Sequence, residues 1–391
     1  MPRVMIVAGE ASGDLHGGAL AAALRQRSGS LETIGFGGEA MRRAGVDIRF
    51  DSARLAVVGL LEVLLNCRTI LAAWRLAVSL LSDGVDLLVL IDYPGFNLRL
   101  ARVAKRKGIR VVYYVSPQIW AWRAGRIKQI AERVDRMLVI FPFEKPLYDA
   151  AGVPSTFVGH PLVDDWRAPS YNSRTAFLES LGMRPTGTTV ALLPGSRRQE
   201  VLSLLPAMQA ALSMLAPDFP GLQAILPVAP SLSAAWVESQ MAASPVPTRC
   251  TLAPLYDVLG ASDVAVVASG TATLQVALAR VPMVIVYKLS WLTYFLMRAL
   301  VRVKSIGLVN IVADAPCVPE LIQSEVSPAR IAAEVRRLLS DPAVRAETIR
   351  RLDAVAVALG APGAAARAAE ILLAQLQRVG GAHPHSSGDR G

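Results

Sequence analysis

The chain has 391 residues, 53% of them hydrophobic and 18% charged, with 41 Lys and Arg against 31 Asp and Glu for a formal net charge of +10. So much apolar surface offsets the entropy of ordering the chain, which excludes disorder for most of its length, and the length fits about two to three domains. A composition both greasy and basic points to an acidic membrane surface or a phosphorylated lipid rather than to nucleic acid, whose binders are basic but polar.

VMIVAG (4–9) reads as a short buried strand, and Glu10 and Asp14 interrupt it before a secretory signal could build. AGEASGDLHGG (8–18) then sets Ser12, Gly13 and Asp14 at the strand's C-terminal end, where open α/β sheets bind ligands. A glycine-rich turn with Asp14 as a cap fits the same letters. Residues 55–81 are crowded with Leu, Val and Ile around Trp74, with Arg54, Arg68 and Arg75 at intervals. Such a stretch suits a leaflet on one face and anionic headgroups at its arginines, and a buried core helix is the alternative. Glu62 and Arg75 interrupt it, so no window reaches the roughly 18 apolar residues of a spanning helix.

DLLVLID (86–92), VVYYVS (111–116) and MLVIF (137–141) read as parallel, buried strands, separated by amphipathic stretches such as 14–27 and 97–107. Asp92 stands at the end of the first of these strands, ahead of Pro94-Gly95. A carboxylate there can accept a proton from an attacking hydroxyl, and a turn-forming Asp is the plainer reading. SPQIWAWRAGRIKQI (116–130) combines Trp120 and Trp122 with Arg123, Arg126 and Lys128, and residues 93–131 hold nine basic side chains and no acid. That face fits phosphate groups or anionic lipid heads, or else a solvated helix surface. His160 in FVGHP fits a structural role near a ligand crevice.

From 164 to 188 the pattern lapses into Pro, Ser, Asn and Gly, which predicts a linker. A second series of strands follows at TVALLPG (189–195), AILPVA (224–229), VAVVAS (264–269) and MVIVYK (283–288). LLPGSRRQE (192–200) ends a strand in Gly195-Ser196 and opens a helix near Arg197 and Glu200. Backbone N–H groups and an arginine there can meet a diphosphate, as an ordinary strand–helix turn also would allow. ASGTATLQ (268–275) offers Ser269, Gly270 and Thr271 at a second helix start. SWLTYFLMRALVRVK (290–304) is apolar and basic, suited to lipid, a dimer contact or a core. Ala, Arg and Leu at helical spacing over 341–376 predict closing helices, and GGAHPHSSGDRG (380–391) predicts a frayed tail.

These runs predict an α/β protein with two Rossmann-like domains facing across a cleft. The domains are expected at 1–165 and 187–345, with C-terminal helices over 346–379 packing back across them. Cys67, Cys250 and Cys317 show neither disulfide nor metal spacing, which fits a reducing cytosol. His16, His383 and His385 suggest no metal site either, and without a His/Cys/Asp cluster no bound metal and no cofactor are expected.

Taken together, AGEASGDLHG (8–17), VVGLLEVL (57–64), IDYPGFN (91–97), YVSPQIWAWRAGRIK (114–128), FPFEK (141–145), VGHPLVD (158–164), LPGSRRQE (193–200), ASGTATL (268–274) and VPELIQ (318–323) resemble the lipid-A-disaccharide synthase family, glycosyltransferases of the GT-B fold. The resemblance implies inverting transfer from UDP-2,3-diacylglucosamine to 2,3-diacylglucosamine 1-phosphate, giving a β-1,6-linked disaccharide 1-phosphate and UDP. It also implies a cytoplasmic enzyme attached peripherally to the inner membrane. By the same resemblance Asp92 is the general base, and Arg197 with the 269–271 loop meets the diphosphate. Asn310 would lie near the nucleotide, Ser12 and Gly13 by the reacting sugars, and Glu320 as a further cleft residue. Gln275 stands where the family favours Glu, and Val309 where proline is usual, which weakens the case for ribose and nucleotide contacts there. Another GT-B transferase with a lipid-linked acceptor, a sugar-nucleotide epimerase or an inactive membrane-surface nucleotide- or lipid-binding protein are the alternatives, and a homodimer stays open.

Overall fold

The computed structural model describes residues 1–54, 67–120, 125–241, 244–289 and 305–380. It divides into two compact units, Met1–Asp164 with Ala361–Gly391, and Asp165–Gly360.

In the first unit seven parallel strands, β1 (Arg3–Ala8), β2 (Glu32–Gly37), β3 (Asp47–Asp51), β4 (Leu87–Ile91), β5 (Arg110–Tyr114), β6 (Arg136–Val139) and β7 (Ser155–Phe157), pair in the order β3-β2-β1-β4-β5-β6-β7. All five residues of β4 are buried, as a parallel strand covered on both faces requires. One face packs Met5, Val7, Leu88, Leu90, Val111 and Tyr113 into a continuous core with helix Cys67–Leu80 and helix Pro94–Arg106. Strand order reverses between β1 and β4, whose last paired residues are Ala8 and Ile91. Both loops leaving this switch point emerge side by side, which is where open α/β sheets bind ligands.

The second unit repeats the plan with six parallel strands, β8 (Thr189–Leu193), β9 (Gln223–Pro227), β10 (Thr248–Thr251), β11 (Val264–Ala268), β12 (Met283–Tyr287) and β13 (Glu320–Ile322). Their order is β10-β9-β8-β11-β12-β13, so its switch point lies between β8 and β11. The loops that carry Arg197 and Ser269 leave from those two strands.

Two expectations change. The stretch read as a linker belongs to the second unit, where Ser170 donates its N–H to Asp257 at 2.8 Å and Arg174 pairs with Asp263 at 3.0 Å. The C-terminal helices expected over 346–379 to pack back across the domains are divided between the units at Gly360 and Ala361. Helix Pro342–Ala358 packs on helices Ala272–Leu278 and Leu308–Ala313 of the second unit, whereas helix Ala364–Gly380 packs on helix Ala11–Arg27 of the first. Asp164 accepts the N–H groups of Gly363 and Ala364, and Arg367 donates to the Val158 carbonyl at 2.8 Å, fixing where that last helix begins.

Candidate active site

Strand β4 ends at Ile91, and the next two residues, Asp92 and Tyr93, both adopt the left-handed conformation with φ of 44° and 48°. Such backbone costs about 1–2 kcal/mol per non-glycine residue and persists only where neighbours hold it. Asn97, fully buried in the first turn of helix Pro94–Arg106, donates to the carbonyls of Ile91 at 3.1 Å and Asp92 at 2.7 Å. The Tyr113 hydroxyl, from β5, donates to the same Asp92 carbonyl. Gly9 at the end of β1 makes room for this turn, since a Cβ there would sit 2.3 Å from the Tyr93 ring.

Held in this way, the Asp92 carboxyl is largely withdrawn from water. Burial, aided by the negative charge of Glu10, pushes its pKa from 3.8 up to about 6, against a hydrogen bond from the Tyr93 backbone. A carboxylate tuned there is ionised at neutral pH yet basic enough to take a proton from an alcohol as that alcohol attacks. Ser12 is exposed and Gly13 buried at the start of helix Ala11–Arg27, on the neighbouring loop of the switch point. Asp14, read as a possible cap, caps a helix distant in sequence. Its carboxylate accepts the N–H groups of Gly38 at 2.6 Å, Ala40 at 2.9 Å and Met41 at 3.1 Å, around the start of helix Glu39–Arg43. His160 is buried against Phe141 and its Nδ1 accepts from the Leu162 N–H, while burial and then the nearby His16 lower its pKa to about 3. It is a neutral, structural imidazole.

The second unit holds a cavity of about 620 Å³ at the C-terminal ends of β8, β9 and β11. Gly195, Ser196, Arg197, Glu200, Ser269, Gly270, Thr271 and Gln275 all line it. Pro227–Pro230 and Leu252–Leu255 line it too, an apolar surface that residue-by-residue reading did not single out. Glu200 corrects one expectation. Its carboxylate accepts the N–H groups of Ser196 at 2.9 Å and Arg197 at 3.2 Å, so those donors are committed to shaping the loop. Gly195, at φ 116°, permits this, because a Cβ there would lie 2.2 Å from Glu200 Oε2. The Arg197 guanidinium stays exposed beside Glu200 at 3.4 Å. Ser269 donates its hydroxyl to the Ile306 carbonyl, which leaves Gly270 and Thr271 as the loop's open edge.

Asn310 and Glu320 do not line that cavity. Asn310 is buried, its amide oxygen accepting from the Cys317 and Val318 N–H groups and its nitrogen donating to Val318 and Glu320. Glu320 also accepts the N–H groups of Ile306 at 2.9 Å and Gly307 at 3.0 Å. Both side chains are consumed in fixing the segment to which Ser269 is tied, so the contacts expected of them become support.

Among the basic and aromatic residues, Arg54, Arg68, Arg75 and Lys128 are exposed, and Arg126 and Trp74 are half-buried. Trp74 packs edge-on against Phe96 at 5.6 Å. Trp120 is turned inward: its indole N–H donates to Glu144 and its ring meets Phe143 edge-on. Glu144 is itself buried, and burial raises its pKa to about 7. Half-buried Trp120 is thus anchored within the first unit by its indole N–H and ring. Trp122, Arg123, the 55–66 part of the apolar stretch and 290–304 lie outside the described residues, as does 381–391 of the expected tail. No helix among the described residues is long and apolar enough to cross a membrane.

Two parallel-sheet units, each with loops leaving its own switch point, define the GT-B class of glycosyltransferases and related nucleotide-sugar enzymes. A solved calicheamicin glycosyltransferase superposes with a TM-score of 0.61 over 97% of this chain and 99% of its own, at 19% identity. The co-structure of S. aureus MnaA with UDP gives 0.63 over the full length of both chains at 10% identity. These likenesses establish the fold alone. Sequence is more specific: the chain matches the family described as lipid-A-disaccharide synthetase over residues 4–361. The lipid-A-disaccharide synthase of Syntrophus aciditrophicus is 48% identical over 377 residues, covering 96% of this chain and 98% of that one. The chain belongs to the lipid-A-disaccharide synthase family and is a glycosyltransferase.

Proposed function

We propose that the protein joins UDP-2,3-diacylglucosamine to 2,3-diacylglucosamine 1-phosphate by a single inverting displacement, with Asp92 as the base. The observation that carries this reading is the Asp92 carboxyl, held in a left-handed turn at the first unit's switch point with a pKa raised to about 6. As the acceptor's 6-hydroxyl attacks, a bond forms from that oxygen to the anomeric carbon and its proton passes to Asp92. The bond from the anomeric carbon to the diphosphate breaks, and its electron pair leaves with UDP.

The nucleotide end suits the cavity of the second unit. The apolar wall of Pro227–Pro230 and Leu252–Leu255 supports a base, and Arg197 with the Gly270–Thr271 edge faces the diphosphate. Fixed donors aimed at developing charge typically contribute about 3–4 kcal/mol each to a transition state. Because Glu200 already holds the Ser196 and Arg197 N–H groups, Arg197 contributes through its guanidinium. Gln275 keeps an acceptor oxygen on the cavity wall without a charge. The exposed Arg68 and Arg75 on helix Cys67–Leu80 support attachment to an anionic cytoplasmic leaflet.

The deciding assay measures UDP release from acylated and non-acylated donors, each with and without the acyl-sugar phosphate. Release with the acylated donor and its acceptor alone supports this reading. Release from UDP-GlcNAc onto a polyprenyl-type acceptor would replace it with another lipid-directed transferase.

A further inference from the structure

A second cavity, of about 660 Å³, opens in the first unit between helix Pro94–Arg106 and helix Arg126–Arg133. Five arginines line it: Arg99, Arg102 and Arg106 from the first helix, Arg126 and Arg133 from the second. No acidic side chain lines it, and Glu132, between the last two in space along its helix, does not face it. Among the described residues Arg99, Arg102 and Arg106 make no ion pair, although the same structure pairs arginine with carboxylate in many other places. Arg99, Arg102 and Arg106 follow one another along an exposed side of the first helix, and an anionic ligand relieves the repulsion among their three like charges.

The cavity starts at the catalytic turn. Pro94 and Gly95, directly after Tyr93, form one end of its lining. Tyr93 packs on Phe96 at 6.2 Å and Phe96 on Trp74 at 5.6 Å, and Trp74 lines the cavity as well. Arg126 lies close enough to the buried Tyr113 phenol to oppose the rise in its pKa, and Tyr113 holds the Asp92 carbonyl. Trp74, Leu98 and Val103 give the arginine-lined space apolar walls. Charge and grease in one place fit a phosphate carried on an acylated sugar better than a free ion.

We propose that this groove binds the phosphate monoester of the glycosyl acceptor, setting the sugar's far hydroxyl toward Asp92. The inference rests on the proposed function and adds the groups that would recognise the acceptor. Arginine suits the task because its fork donates two parallel hydrogen bonds to phosphate oxygens.

The test uses the full chain with Arg99→Ala and Arg102→Ala combined, in detergent micelles, with the acceptor and with the same acceptor lacking its phosphate. Losing charge-assisted bonds should raise the KM for the phosphorylated acceptor by about tenfold to a hundredfold. The KM for donor, the affinity for UDP and turnover of the phosphate-free acceptor should stay as in the wild type. Arg99→Lys with Arg102→Lys should recover part of the loss, which a folding defect would not predict. An unchanged preference for the phosphorylated acceptor overturns the proposal. Sedimentation with phosphatidylcholine vesicles, with and without phosphatidylglycerol, separates the other source of phosphate. If the double Ala variant loses only its binding to anionic vesicles, the groove serves bilayer headgroups and the proposal is wrong. Should the wild type turn over neither acceptor, the proposed function fails first. Titration with glucosamine 1-phosphate then decides the groove directly: saturable binding lost in the variant upholds it, and binding that is absent or equal in both rejects it.

Discussion

The Tyr113 hydroxyl donates to the main-chain carbonyl of Asp92, so strand β5 holds the turn that presents this carboxylate after β4. Tyr113→Phe keeps the ring in the core and removes only this bond. With Asn97 still in place the turn should survive, at a cost of about 1 kcal/mol in stability. Misplacing the carboxylate should lower kcat roughly tenfold while UDP affinity is unchanged. Single-turnover rates alongside UDP calorimetry check this, and an unaltered kcat would show that the bond does not position the base.

Asp92 must be ionised to accept a proton. Activity should therefore fall as pH drops through about 6 and level off above it, where the carboxylate is fully formed. The same shift carries a stability penalty. Its raised pKa means the fold favours the protonated form, so the penalty builds between pH 3.8 and about 6 and is complete above that. Asp92→Asn should abolish most turnover yet raise the melting temperature at pH 8, by an amount worth up to about 3 kcal/mol. Activity profiles and calorimetry at pH 5 and pH 8 test both statements.

Glu200 shapes the loop under the proposed diphosphate site by accepting two backbone N–H groups. Glu200→Ala should raise the KM for donor about tenfold, with a smaller change in kcat, because the loop loses its preset form. Glu200→Gln retains an acceptor oxygen and should lie between the two. Equal donor KM values across the three proteins would remove this residue from the account.

Asp14 receives three N–H groups near the start of helix Glu39–Arg43. Asp14→Ala leaves them without that partner and should destabilise the first unit by about 2–4 kcal/mol. Denaturant titration gives the figure, and UDP binding to the second unit should persist in the same variant.

Chelation tests the expectation that the transfer needs no metal. EDTA should leave the rate unchanged, because the arginine and loop donors are assigned the charge that a divalent ion carries elsewhere. Loss of activity with recovery on adding Mg²⁺ would require a different leaving-group account.

The strands legible in the sequence are those whose letters are apolar throughout, such as LLVLI and VAVVA, because burial on both faces leaves no polar alternation to confuse. β2, β3, β10 and β13 went unread. ETIGFG, DIRFD, TRCT and ELI mix charged, hydroxyl and small residues, and all but β2 lie at sheet margins where one side is less covered. In β2 the glycine is itself the signal of close approach, since a Cβ on Gly35 would meet the Ile6 carbonyl oxygen at 2.0 Å.

For the site, Asp92, Arg197 and the 269–271 loop were legible because they follow apolar strands directly. Asn310 and Glu320 looked equally chemical on paper, and only the hydrogen bonds show that each spends its polar atoms on backbone nearby. Tyr113 and Asn97 escaped notice for the opposite reason. A tyrosine inside a strand and an asparagine inside a helix read as filler until the carbonyl they share is visible. The groove arginines belong to the basic run 93–131, which reads as a surface for phosphate groups or anionic lipid heads or else as a solvated helix face, and helical spacing alone does not reveal that a second helix lines the same groove.

Helix Ala364–Gly380 covers helix Ala11–Arg27, so the first unit is assembled from the two extremes of the polypeptide. During synthesis the amino-terminal sheet must wait, with that flank bare, until nearly two hundred intervening residues have left the ribosome. The intervening unit is contiguous and can complete itself first. A released chain that ends at Gly360 should thus carry a finished second unit and an unfinished, chaperone-prone first one.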